Sequence, residues 1–135
     1  MKKLSIISLA VLAFSLQSCR KDFNYVEPAA PPITTPVLFS TGVYPLIVTY
    51  CQAGCHTGGA PSGLDFTNAT TSYNTLTANT TMVNIIVPDQ SQFYVCLSDP
   101  GVPSGNGQMP QGGPFMSSTE KASILAWITQ GALNN

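Results

Sequence analysis

The only histidine of this 135-residue chain, His56, directly follows the second of two closely spaced cysteines in the run Cys51-Gln52-Ala53-Gly54-Cys55-His56. A core or surface histidine could stand anywhere. One placed here draws two thiols and an imidazole to a single point, and the rest of a small chain must fold around whatever those three side chains share. No other feature limits the fold so strongly.

A cysteine pair followed at once by histidine marks covalent haem attachment: two thiols add to the haem vinyl groups and the imidazole binds iron. Adjacent residues are needed because both thioethers and the iron ligand converge on one macrocycle. Two residues normally separate the cysteines, and here there are three. On a helix, i and i+3 lie about 60° apart and i and i+4 about 40° apart in the other sense. Either spacing keeps the sulfurs on one side, and Gly54 permits local adjustment.

Composition narrows the surroundings. At 44% apolar the chain is too hydrophobic to be disordered throughout. Five Lys/Arg against six Asp/Glu leave no basic face for nucleic acid. One domain fits the length, and a large enzyme does not. The single histidine is already used, so no Ser/His/Asp set exists, and Gly101–Gly113 lacks the lysine of a phosphate loop. A small redox or binding module remains.

Residues 1–18 read as an export signal. Lys2 and Lys3 precede a mostly apolar run from Leu4 to Leu16, too short to span a bilayer. Leu16-Gln17-Ser18-Cys19 then has the form of a bacterial lipoprotein box, which makes Cys19 the lipidated first residue of the mature chain. The expected location is outside the cytoplasm, on the outer membrane. Residues 19–36, with Pro28, Pro31, Pro32 and Pro36, read as a tether. The folded unit is then 37–135. After cleavage, three cationic residues (Arg20, Lys21, Lys121) face six acidic ones, a net charge of −3.

Within that unit the patterning is mainly helical, with about three to five helices joined by long Gly/Pro-rich loops. Phe39, Val43, Leu46, Ile47 and Tyr50 predict a helix over 40–51, capped by Ser40 or Thr41, with Pro45 near its first turn. A short helix is expected over 70–76. Asp89-x-x-Gln92 reads as the cap of a helix through Leu97, with Phe93, Cys96 and Leu97 on one face. Ser117-x-x-Glu120 opens a last helix with an Ile124, Leu125, Ile128 stripe flanked by Trp127, and Gly131 ends it. Between the last two lies a long Gly/Pro-rich loop around Met109, the kind that carries function.

These features together resemble the planctomycete-type small monohaem c-type cytochromes, often found in bacterial lipoproteins. The likeness covers about residues 37–134. It rests on Tyr50-Cys51…Cys55-His56, Gly63-Leu64-Asp65-Phe66, Ile86-Val87-Pro88-Asp89 before Ser91 and Tyr94, Gln108-Met109-Pro110, and Ile124…Trp127-Ile128…Gly131-Ala132. The resemblance implies a cytochrome c-like helical fold, haem c bonded to Cys51 and Cys55, His56 as proximal ligand and Met109 as distal ligand. It implies electron transfer between redox partners, not enzyme catalysis. Beyond the initiator, only Met82, Met109 and Met116 could offer a thioether; Met109 sits where a loop can fold over a haem face, Met82 precedes an apolar stretch, and Met116 remains open. Trp127, Tyr73 and Phe115 are candidates for the haem wall or for plain core. With acidic residues outnumbering Lys121 beyond residue 37, a partner with a basic patch is expected.

The different-class alternatives are a surface lipoprotein domain held by zinc on Cys51, Cys55, His56 and Cys96, or one stapled by a disulfide at Cys51/Cys55. A thiol–disulfide oxidoreductase lacks its βαβ pattern. In the haem reading Cys96 is a free thiol acting as a small buried hydrophobe, or pairs with a second chain. Asp65 reads as a turn or cap residue.

Overall fold

The computed structural model describes residues 28–52, 54–58, 63–98 and 108–135. The export signal and Cys19 lie outside the described residues. Those described are mainly helical, and none of them forms a strand. No helix among them is long and apolar enough to cross a membrane.

The first helix, α1, is one continuous stretch in three parts: π-helical Phe39–Val43, α-helical Tyr44–Ile47 and π-helical Val48–Gln52. Its buried residues explain the mixture. Phe39, Val43, Ile47 and Cys51 are all buried and fall four apart. In a pure α-helix each such step rotates about 40°, so the fourth residue would point well away from the first. Wider i→i+5 turns hold more residues each and bring a four-residue spacing back into line. The helix underwinds to keep its stripe on the core.

Two expectations for α1 need correction. Neither Ser40 nor Thr41 caps it. The Phe39 and Ser40 N–H groups instead donate to the side-chain and backbone oxygens of Asn135, both at 2.9 Å. Pro45 is also not in the first turn, because the helix begins at Phe39. A complete π turn precedes it, with the Tyr44 N–H bonding Phe39 O. Pro45 is exposed, so the turn it leaves unbonded faces solvent.

Helix α2, Ala69–Thr77, is capped by Asn68, whose side chain accepts from the Thr71 N–H at 2.9 Å. Before α3, Pro88–Gln90 forms a separate 3-10 turn, and α3 itself runs Gln92–Ser98. Asp89 therefore does not cap α3 as expected. Residue Ser91, buried between turn and helix, spends its hydroxyl on the Asn84 N–H at 2.8 Å. Phe93 and Leu97 are buried as expected; Cys96 is only half-buried.

Helix α4, Ser118–Thr129, carries the expected capping box: the Ser117 hydroxyl accepts from the Glu120 N–H, and a Glu120 carboxylate oxygen accepts from the Ser117 N–H at 2.8 Å. Its end is a Schellman motif. Ala132 N–H bonds Trp127 O and Gly131 N–H bonds Ile128 O, with Gly131 at φ 98°. The buried face is Ile124, Trp127 and Ile128, while Leu125 is half-buried, so Trp127 is central and not a flank.

The core joins α1, α2 and α4 through aromatic rings. Phe39 lies 5.3 Å from both Trp127 and Tyr73, the latter edge-on. Trp127 Nε1–H donates to Leu133 O at 2.9 Å, so its one polar atom is satisfied. The chain entering α1 is fixed as well. Gln130 accepts from the Val37 N–H at 2.8 Å and donates to Thr35 O at 3.0 Å, so the last tether residues are already clamped to the domain.

Trp127→Ala should cost roughly 3–5 kcal/mol in denaturant unfolding. Gly131→Ala should cost about 1–2 kcal/mol, through left-handed strain alone. A Gly131→Ala variant as stable as wild type would refute the cap assignment.

Candidate functional site

The Cys–His run sits at the C-terminal end of α1. The helix is already π-helical over Val48–Gln52, and a π turn is an α-helix that has absorbed one residue. Beyond it the helix ends: the Cys55 N–H donates to Gln52 O at 3.3 Å and the His56 N–H to Cys51 O at 3.1 Å, the paired three-back and five-back bonds that close a helix terminus. Gly54 takes φ 76°, with open space where a Cβ would be, so only its conformation demands glycine. The two sulfurs are therefore not a pair on one helix face. Cys51 ends the buried stripe and Cys55 lies exposed beyond the turn.

A second strand of hydrogen bonds ties this turn down. His56 O accepts from the Phe66 N–H at 2.9 Å, and Gln52 Nε2 donates to Thr67 O at 2.9 Å. Asp65 is the turn residue the sequence suggested. Its carboxylate accepts from the Thr67 hydroxyl and N–H and from the Gly58 N–H. The Thr67 hydroxyl foremost, and then its N–H, hold the Asp65 carboxyl below the usual range.

Cys51, Cys55 and His56 open onto a cavity of about 860 Å³ that Met109 also lines. All four sequence-derived ligand positions are thus brought together. The volume lies within the range of roughly 300–1,000 Å³ usual for small-molecule and cofactor sites. Phe66, Phe93, Leu97 and Met82 supply apolar wall, and Tyr50 and Cys96 complete part of the rim.

His56 is 9% exposed, and its ring lies 5.4 Å from that of Phe66. Its Nδ1 is buried without a hydrogen-bond partner. Leaving such an atom unpaired costs about 1–3 kcal/mol. The donor set is two thiols, an imidazole and a thioether, around apolar walls. These residues fit a covalently held haem: Cys51 and Cys55 as thioether carriers, His56 and Met109 as iron ligands.

Among the described residues no group of three His, Cys, Asp or Glu side chains is placed to hold a metal ion, and Cys51, Cys55 and Cys96 are all free. Burial, with Cys55 adding to it, pushes the Cys51 thiol up to about 12.

The other sequence-derived candidates separate cleanly. Trp127 and Tyr73 belong to the core, and Phe115 is half-exposed away from the cavity, so none of the three is cavity wall. Met116 is buried in the core at 2% exposure and fills space there. Met82, by contrast, does reach the cavity. Phe66 and Phe93 are the aromatic walls that patterning left unassigned. Phe93 had been visible as a buried helix position, but nothing local tells a core face from a cavity face.

Tyr50, next to Cys51, connects the site to α4. Its hydroxyl donates to both Glu120 carboxylate oxygens, at 3.0 and 3.1 Å. Burial pushes the Glu120 carboxyl up, but the Ser117 N–H and hydroxyl and the Tyr50 hydroxyl together draw it below its ordinary value. The same contact raises the Tyr50 phenol.

No family model, curated protein or solved structure matches this chain.

For the chain without haem, unfolding stability should fall as pH rises from about 9 toward 12. The folded Cys51 thiol stays protonated while its unfolded counterpart ionises, at roughly 1.4 kcal/mol per pH unit. Cys51→Ala should flatten that decline in an unfolding titration. In the same protein Cys55 should alkylate well before Cys51, and equal rates would contradict the burial.

Proposed function

We propose that this chain is a small monohaem c-type cytochrome that carries single electrons. The observation that supports it is the convergence of Cys51, Cys55, His56 and Met109 on one cavity of cofactor size. The helical architecture is compatible with the cytochrome c-like fold that the sequence resemblance implies.

When bound, haem supplies one-electron exchange between Fe(III) and Fe(II). The chain supplies everything else. Cys51 and Cys55 hold the cofactor through thioether bonds, which keeps it from diffusing away in an extracytoplasmic compartment. His56 and Met109 would supply the iron ligands, a set suited to carrying electrons rather than binding a substrate. With haem bound, sulfur ligation by Met109 and the apolar wall of Phe66, Phe93 and Leu97 would both favour the reduced state and raise the potential. The same walls exclude water and so limit reorganisation on electron transfer.

In this reading the protein is exported and anchored at Cys19 to the outer membrane, with residues 19–36 as a short leash. Its electron donor and acceptor are proteins, and the excess of Asp65, Asp89, Asp99 and Glu120 over Lys121 suits a partner with a basic patch.

Met109→Ala should lower the reduction potential and open the distal side to exogenous ligands; an unchanged potential and spectrum would exclude Met109. Cys51→Ala should weaken covalent capture, read as haem released by acid-organic extraction. Cys19→Ser should move the protein out of the membrane fraction.

A further inference from the structure

Met109 stands on a stretch, 108–117, with no helix or strand of its own. A sulfur on such a segment needs an outside support to hold it toward the cavity. Two hydrogen bonds provide one. Met109 N–H donates to Cys96 O at 2.7 Å, and the Gln108 side-chain Nε2 donates to Leu97 O at 3.1 Å.

Both acceptors lie in the last turn of α3, where helix carbonyls have no partner within the helix. They belong to consecutive residues, as do the donors. One bond would act as a pivot about which the segment could swing. Two bonds, side by side, fix its register and its rotation. The helix that offers them also places Phe93 and Leu97 in the cavity wall, so wall and distal segment are held by one element.

We propose that Gln108 is the positioning residue for the distal ligand, an inference that rests on the haem reading above. Its amide locks the 108–110 segment onto the α3 carboxyl end and thereby aims Met109 into the cavity. The backbone bond from Met109 survives any side-chain change, so Gln108 is the part that substitution can remove.

The test uses the full, haem-loaded chain. Gln108→Glu keeps the shape but has no N–H to donate, Gln108→Leu removes the polar group, and Gln108→Lys retains a donor of comparable reach. Ferrous wild type should exclude carbon monoxide. Gln108→Glu and Gln108→Leu should bind it while retaining covalent haem in acid-organic extraction, and their potentials should fall toward that of Met109→Ala. The Met109 N–H should exchange with solvent roughly three- to tenfold faster in both, the factor set by the net worth of one hydrogen bond. Gln108→Lys should stay closed to carbon monoxide. If Gln108→Glu behaves as wild type in ligation and exchange, with haem attached in both, the positioning role is wrong and the cytochrome reading stands. A wild type without covalent haem overturns the functional reading and this inference with it.

Discussion

The four-residue spacing of Phe39, Val43, Ile47 and Cys51 governs the rest of the molecule. Burying all four requires a helix wider than α, and the π turns at both ends of α1 meet that requirement. The consequence is felt at the carboxyl end. A helix in π register delivers Cys51 into the interior, and the bonds from Cys55 N–H to Gln52 O and from His56 N–H to Cys51 O end it there.

Around that turn, each proposed ligand is supported from a different element. His56 is held through its backbone by Cys51 and Phe66. Met109 is held by the carboxyl end of α3, which packs against α4. Glu120 connects the two supports: within α4 it completes the capping box, and across the domain it receives the hydroxyl of Tyr50, the neighbour of Cys51. One carboxylate thus satisfies a helix terminus and fastens α1 to α4. Local capping chemistry and the geometry of the site share a residue.

Much of this was legible from residue pattern. The helices over 70–76 and after Ser117, the capping box and the Gly131 stop follow from periodicity and caps, which are local; that Met109 shares a cavity with Cys51, Cys55 and His56 was expected from a family resemblance and from its place in a Gly/Pro-rich loop. What was not legible depends on distant partners. Asn135 caps α1 from 95 residues away or more, which no local cap rule can register. Asp89 looked like a cap because it stands three before Gln92, yet Pro88 draws it into its own turn. Trp127, Tyr73 and Phe115 were conspicuous as aromatics, but the choice between core and cavity is made by how helices pack, and that choice fell on Phe66 and Phe93. The π register of α1 was hidden for a related reason: a stripe spaced by four reads as ordinary helix until all four members are known to be buried.

The central claim is that the cavity holds a haem bonded to this chain. The direct measurement is the visible absorption spectrum of the protein, oxidised and reduced, purified from a host able to attach haem to exported proteins. The account predicts sharp haem bands that narrow on reduction and stay with the polypeptide after denaturation. A colourless protein, or pigment that separates from the denatured chain, would contradict it.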